Sequence, residues 1–312
     1  MSARYRVDGG TAGSVFTDAR DRLAYALTRM PATAAAMAAA LRAAGVTNVA
    51  DVLDLGAGTG AALWAARERS CLGARFSAIE RDPGLTTLAQ RLAAGTDLES
   101  TTWNGSDLAI WAKVATPKSH DLITAGYCLG ELAPEARDAV VDAAWARCTG
   151  WFAIVEPGTP RGAATIAAVR GRLIAGGASI AAPCPHALAC PLAAPADAPA
   201  VAATPRSRAL PGWCHMSVRL PRSRLHRMIK DGKLGYEDEP YCYLVVTRRP
   251  VAPVPARILA PPQRGNPGID LVLCRADATA GGERIRRSDP RFAAARRAEW
   301  GDGWEPCPDL PA

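Results

Sequence analysis

The sequence predicts an α/β protein built on a doubly wound, mostly parallel sheet. Three observations predict it. A short apolar run enters a glycine-rich turn and continues as a helix, strand-like and helix-like segments alternate after it, and an apolar fraction of 49% over 312 residues is enough for a full core. Helical segments precede this unit, and a cysteine-bearing, arginine-rich stretch follows it.

The elements follow in order. Leu23, Ala26, Leu27 and Met30 fall at helical spacing, which predicts a helix from Thr17. Pro31 with Thr33 marks a break and a new N-cap, so a second helix is expected to run to about Ala44, closed by Gly45. Residues 48–55 form the first strand and residues from Ala61 the helix after the glycine turn. A second strand is expected over 75–80 and a helix over 84–94. A further strand over 121–128, a helix over 134–147 and a strand over 150–156 complete the alternation, the last stopped by Pro157 and Pro160. Residues 221–231 read as a short basic helix, 236–246 as a strand closing the sheet, 250–267 as a linker and 291–304 as a basic helix or tail. The expected division is an N-terminal helical segment (1–47), a nucleotide-binding core (48–160), the rest of that core with a cysteine-rich insertion at 181–215 (161–250), and a basic C-terminal extension (251–312).

The turn Gly56-Ala57-Gly58-Thr59-Gly60 has a mechanical reason. A strand that turns at once into a helix needs residues without a Cβ, so that the backbone bends sharply and a ligand reaches the helix N-terminus. Asp54, at the strand end, is placed to meet a ligand ammonium. Glu80 ends the next strand, where a ribose diol would lie, and Asp107 is a candidate for an adenine amine. S-adenosylmethionine carries an amino acid group, a ribose and an adenine, and Val-Leu-Asp-Leu-Gly-Ala-Gly-Thr-Gly is similar to the first motif of class I methyltransferases. The same loop satisfies a loose dinucleotide fingerprint, so an NAD-linked oxidoreductase with a zinc site stays as the remoter reading. After the strand at 121 a base aminomethyltransferase would show Asn or Asp followed by Pro-Pro and an aromatic residue. Here the residues are Ala125-Gly126-Tyr127-Cys128-Leu129, and no catalytic residue is assigned; Cys128 reads as a buried strand-end thiol.

The formal net charge is +7, and the first 150 residues hold 15 basic against 16 acidic residues while the rest hold 22 against 14. Most of the excess is Arg in the second half, which suits a phosphate-backbone partner. No run approaches the ~20 apolar residues of a membrane span, and the N-terminus shows no apolar signal segment, so a cytoplasmic address without membrane contact is expected. In that compartment the nine cysteines are expected as reduced thiols or metal ligands.

Cys184 and Cys190, each followed by Pro, Cys214 in Trp213-Cys214-His215, and the distant Cys274 are the candidate ligands. Four thiolates from separated loops suit either a tetrahedral zinc site or a cubane iron-sulfur cluster. His186 and His215 are possible replacements on zinc.

Several blocks together resemble the Rsm22 family of methyltransferase-like proteins of the small ribosomal subunit. They are Arg29-Met-Pro-Ala-Thr33, the glycine loop, Val155-Glu-Pro-Gly-Thr-Pro160, Ala182-Pro-Cys-Pro-His186 through Leu192, Trp213-Cys-His215, Arg222-Ser-Arg-Leu-His-Arg227, Tyr236-Glu-Asp-Glu239 and Trp300-Gly-Asp302. The chain reads as a bacterial member. The resemblance implies a class I methyltransferase (Rossmann-like) fold, binding of S-adenosylmethionine, a 4Fe-4S cluster on four cysteines, and action on small-subunit rRNA, as a methyltransferase or as a non-catalytic assembly factor. By motif it puts ligands at Cys184, Cys190 and Cys214, with Cys274 as the fourth and Cys242 as its alternative. Such a cluster would staple the insertion to a C-terminal segment that is not expected to have a core of its own. Arg219, Arg222, Arg224, Arg227 and Lys230 are expected to form a phosphate track.

Overall fold

A computed structural model of the chain describes residues 16, 18–114, 118–192, 212–230 and 232–305. Among the described residues two helices come first, α1 (Ala19–Thr28) and α2 (Met30–Ala43). Asp18 caps α1 by accepting from the Asp21 amide at 2.8 Å. The break falls at Arg29, which is the N-cap of α2 without a side-chain bond, so Thr33 lies inside the helix and is not the cap expected. Pro31 is tolerated there because the first turn has no intrahelical N–H to lose.

Next come β1 (Val49–Leu55), α3 (Ala61–Arg67), β2 (Ser70–Ile79), α4 (Pro83–Ala93), β3 (Thr102–Asn104), α5 (Leu108–Lys113) and β4 (His120–Gly126). They are followed by α6 (Pro134–Arg147), β5 (Cys148–Pro157), α7 (Pro160–Ala175), β6 (Ser179–Ala182), β7 (Met216–Pro221), α8 (Arg224–Ile229) and β8 (Tyr236–Thr247). The first sheet runs β3-β2-β1-β4-β5-β8-β6, with β7 also paired to β8. Strands β1 to β5 are parallel, whereas β8 is antiparallel to β5, β6 and β7. This is the class I methyltransferase arrangement. A dinucleotide-binding sheet runs 3-2-1-4-5-6 with parallel strands, so the antiparallel β8 beside β5 counts against the oxidoreductase reading.

Two apolar layers cover this sheet. One face packs Leu53, Leu55, Ile123, Phe152, Ile154 and Leu244 against α6 and α7; the other packs Val52, Leu122, Val155 and Val245 against α2 and α3. Helix α2 is mostly Ala, which lets it lie close to the sheet with Met37 and Leu41 fully buried.

The stretch expected as a linker and basic tail is a second, five-stranded sheet. It contains β9 (Ala256–Ile258), β10 (Gln263–Arg264), β11 (Gly268–Arg275), β12 (Ala280–Arg286) and β13 (Gly303–Trp304), with α9 (Phe292–Arg297) beside it. Contrary to expectation it has a core of its own, in which Ile258, Ile269, Leu271, Leu273, Ile285, Ala295 and Trp304 are buried together. No described helix is long and apolar enough to cross a membrane.

Candidate functional site

The glycine loop leaves the carboxyl end of β1 with Gly56, Gly58 and Gly60 all at positive φ, 62°, 55° and 79°. Gly56 also faces a close neighbour, since a Cβ there would stand 2.7 Å from the Cβ of Cys128. Between the glycines, Ala57 is buried and its amide donates to the Ile79 carbonyl at 3.0 Å, which ties the loop to β2. Glu80 follows β2 and accepts from the Gly58 amide at 2.8 Å and the Asp82 amide at 2.7 Å. The structure therefore brings Asp54, the loop and Glu80 together at one sheet end.

Asp54 is 1% exposed. One carboxylate oxygen accepts from the Thr124 hydroxyl at 2.8 Å; the other has no hydrogen-bond partner among the described residues, and neither does the buried hydroxyl of Thr59. Burial pushes the Asp54 carboxyl up to about 7, against the pull of Thr124, with Glu80 adding to the rise. Burial likewise raises Glu80. Asp107 caps α5 through the Ala109 amide at 2.8 Å and stands 3.4 Å from the Arg81 guanidinium, at the rim of the same end.

Residues that pattern reading leaves without a role complete the cleft. Tyr25 of α1 lies over the loop, its ring 3.9 Å from where a Gly58 Cβ would be. Tyr127, at φ 59°, follows β4 where an acceptor-holding residue would sit. Its hydroxyl donates to Glu239 at 3.1 Å, and Arg29 holds the same carboxylate with two bonds. Burial and then Glu239 push the Tyr127 phenol well up, and burial does the same to the Cys128 thiol, which donates to the Leu55 carbonyl. Both groups keep their protons. Glu156, 2% exposed, accepts from the Leu129 and Gly130 amides and is raised by burial to about 7. The signal that could have found Arg29 and Glu239 was in the resembling blocks, whereas Tyr127 lies in none of them, and only the fold shows that the three form one contact.

The cysteines gather at the other side of β8. Cys184, Cys190, Cys214 and Cys242 line a cavity of about 440 Å³ with Arg170, Trp213 and His215. Cys214 is pushed well up by burial and by the nearby Cys184, Cys190, Cys242 and Cys274. Burial, then Cys184 and Cys190, raise Cys274 to about 12, and its sulfur lies 3.4 Å from Nε2 of His186. Cys242 donates to the Cys214 carbonyl at 3.2 Å. Among the described residues, however, no three His, Cys, Asp or Glu side chains stand as a group that could hold a metal ion. Cys71 is exposed and Cys148 lies in a separate part of the core; Cys307 and residues 193–211 of the insertion lie outside the described residues.

Two buried arginines frame the thiols. Arg170 donates to the His186 and Leu188 carbonyls, and Arg257 to the Pro183 and Gly301 carbonyls. Neither pairs with a carboxylate among the described residues, and both pull the Cys184 thiol toward ionisation against a larger push from burial. Two guanidiniums without a carboxylate partner among the described residues would favour an anion beside these sulfurs, while burial holds the free Cys184, Cys214 and Cys274 as thiols.

The expected phosphate track on residues 219–230 is largely neutralised. Asp238 takes Arg219 with two bonds, and Glu237 takes Arg222 and Lys230. Only Arg224 and Arg227 stand without a carboxylate among the described residues.

The family model described as mitochondrial small ribosomal subunit Rsm22 matches residues 19–305. The human mitochondrial ribosome assembly protein METTL17 is 26% identical over 152 residues, 45% of this chain and 33% of that protein, so the match spans a third of that relative's length. Similar solved structures include a magnesium protoporphyrin IX methyltransferase from Synechocystis PCC 6803 with bound S-adenosylmethionine. It is 14% identical with a TM-score of 0.40, and the match covers 80% of this chain and 91% of that one. A precorrin-6y C5,15-methyltransferase from Geobacter metallireducens is 13% identical with a TM-score of 0.41, covering 76% and 92%. An S-adenosylmethionine-dependent methyltransferase from Aquifex aeolicus is 16% identical with a TM-score of 0.41, covering 53% and 90%.

Proposed function

The chain belongs to the mitochondrial small ribosomal subunit Rsm22 family, and on that premise we propose that it binds S-adenosylmethionine at the glycine loop and acts on small-subunit rRNA as an assembly factor. The observation that carries the reading is the unpartnered, buried oxygen of Asp54 beside three positive-φ glycines. In it, Asp54 takes the ammonium of the ligand, Glu80 the ribose hydroxyls and Asp107 the adenine amine, while the backbone of Gly56, Ala57, Gly58 and Gly60 leaves room for close approach. When bound, the ligand supplies an electrophilic methyl group.

The acceptor side favours assembly over methyl transfer. Tyr127 is locked to Glu239 and Arg29, and Cys128 is turned toward the Leu55 carbonyl, so neither is poised to take a proton from an incoming nucleophile. The intact glycine loop keeps methyl transfer as the second reading.

A 4Fe-4S cluster held by Cys184, Cys190, Cys214 and Cys274, with Cys242 as the alternative fourth ligand, is part of the proposal. Zinc would need its sulfurs about 3.8 Å apart, and no group of residues as tight as an ion requires is present among the described ones. A cube of four irons takes its thiolates farther apart, and what supports a shared centre is that Cys184, Cys190 and Cys214 line one cavity with Cys274 nearby. It would supply covalent ties between the insertion and the second sheet. A reducing compartment, of which the cytoplasm is the one this reading takes, suits the free thiols.

The deciding experiment incubates the protein with immature small-subunit particles and tritiated S-adenosylmethionine. The assembly reading expects donor binding and salt-sensitive particle binding without tritium in the rRNA. Tritium incorporation would establish the enzyme instead. Failure to bind either donor or particles would overturn the proposal.

A further inference from the structure

In the second sheet, Arg264, Arg287 and Arg296 line one cavity of about 420 Å³, with Gly265, Ile269 and Phe292 as the rest of its wall. The three guanidinium groups come from three places: β10, the turn after β12, and α9. No carboxylate is in the lining. The acidic residues nearby are engaged elsewhere, Asp270 by Arg284, Glu283 by Arg275 and Arg291, and Asp289 by Arg291. Arg264 uses two nitrogens on the Arg296 and Ala298 carbonyls, while Arg287 and Arg296 have no ion pair among the described residues.

Water and salt screen the repulsion between these exposed guanidiniums, and what remains of their summed field attracts an anion into the cavity. A planar guanidinium fork matches phosphate oxygens. The remaining wall is of another kind, since Phe292 and the buried Ile269 give an apolar, partly aromatic side. Phosphate donors on one side and an aromatic face on the other are what a nucleotide of an unpaired strand presents.

We propose that this cavity seats one nucleotide of a single-stranded RNA segment, its phosphate against Arg264, Arg287 and Arg296 and its base against Phe292. The proposal deepens the small-subunit reading and rests on it. It differs from the expected track at residues 219–230, where carboxylates already occupy most of the basic groups.

The test measures binding of a fluorescent single-stranded RNA to the full chain by anisotropy over a salt series. Because Arg264 ties α9, the probe variant is Arg287→Ala/Arg296→Ala, with Phe292→Leu as a second variant that keeps the apolar wall. A third variant, Arg224→Ala/Arg227→Ala, reports on the other basic surface. The double variant is expected to bind at least about tenfold more weakly, with a salt slope lower by about 0.7, the share of one single-strand phosphate. Phe292→Leu is expected to weaken binding with the slope unchanged, and an unaltered thermal midpoint would show that the fold is intact. Wild-type affinity in the Arg287/Arg296 variant, with a loss in the Arg224/Arg227 variant, would overturn this site and leave the RNA reading standing. Absence of RNA binding by the wild type would overturn both. A phosphorylated peptide bound as tightly as RNA and lost with the same variant would overturn the nucleic-acid assignment.

Discussion

Arg29 and Glu239, 210 positions apart, face each other as a two-bond pair at 2.9 and 3.2 Å. Arg29 is the joint between α1 and α2, and Glu239 sits in β8 opposite Val218 of β7. The Tyr127 hydroxyl shares one of the carboxylate oxygens, so a single side chain ties the N-terminal helices, the end of β4 and the closing strand across the cleft. This contact is one of the ties that hold α1 and its Tyr25 over the glycine loop, another being Arg22 of α1, which bonds both Asp82 carboxylate oxygens at 2.9 Å.

Replacing Arg29 by Ala is therefore expected to cost about 2 kcal/mol, less than a fully buried pair because Arg29 is half-buried, while the buried Glu239 loses its counter-charge. Tyr127→Phe, which removes one neutral donor, is expected to cost about 1 kcal/mol. Urea unfolding reads the totals. Amide exchange in α1 and α2 reads the location, and Arg29→Ala should speed exchange there more than in β1 or β4. Uniform exchange across all four would contradict the latch.

Asp54 sets a pH dependence whose sign follows from its burial. The ammonium of S-adenosylmethionine needs the carboxylate, so donor affinity is expected to rise as pH increases through about 7 and to level off above it. The stability of the free protein moves the other way. Its folded carboxyl titrates above the ordinary 3.8, so the contribution is full at low pH and is lost as pH rises toward and past 7. Glu156 is raised in the same way and adds to the same trend. Asp54→Asn should weaken donor binding, flatten its pH profile and remove part of the loss of stability, measured by calorimetric titration and thermal melts from pH 5 to 9. A profile unchanged by Asp54→Asn would reject the assignment.

The glycine loop, Asp54 and Glu80 were legible because a strand that turns straight into a helix forces a local, contiguous pattern. Helix α1 was legible from period, and α2 from the break at Pro31 and the closure at Gly45, although its N-cap is Arg29 and Thr33 lies inside it. Residues 251–312 were not, because β9 is three residues long and alternates Ala256, Arg257, Ile258. Arg257 is 4% exposed and satisfied by carbonyls, a burial that a charge pattern assigns to solvent. The basic run at 219–230 was misread for a related reason. Cross-strand register sets Arg219 opposite Asp238 and Leu220 opposite Glu237, and nothing in the linear order of residues shows such pairing. That Cys184, Cys190 and Cys214 meet at one cavity, by contrast, was readable from the resembling blocks although not from spacing, while Cys242 and Cys274 lie outside those blocks.

In the proposed cluster the fourth ligand is either Cys274 or Cys242. Both stand near Cys214, and Cys242 lines the cavity with Cys184, Cys190 and Cys214, but its thiol is engaged by the Cys214 carbonyl, whereas Cys274 is near Cys184 and Cys190 and faces His186. Under anaerobic purification, Cys184→Ser, Cys190→Ser, Cys214→Ser and Cys274→Ser are each expected to lose iron and the broad absorption at about 400 nm. Cys242→Ser is expected to retain both. The reverse outcome for the last two would exchange their roles, and a wild-type protein without iron would end the cluster proposal.

Gly56 offers the sharpest packing test of the loop. Ala at this position meets two penalties: a φ of 62°, which costs about 1–2 kcal/mol for a residue with a Cβ, and a contact 2.7 Å from the Cys128 Cβ. The overpacking adds about 1–3 kcal/mol. Gly45 is the internal control, since it has φ 66° and nothing within 4 Å of an added Cβ, so Gly45→Ala carries the conformational penalty alone. Gly56→Ala is thus expected to be the more destabilising of the two in urea unfolding. Combining Gly56→Ala with Cys128→Gly removes the opposing carbon and should recover part of the contact penalty but none of the backbone strain. Equal losses in Gly45→Ala and Gly56→Ala would mean that the loop yields at Cys128, and the close approach between β1 and β4 would then not be what fixes its shape.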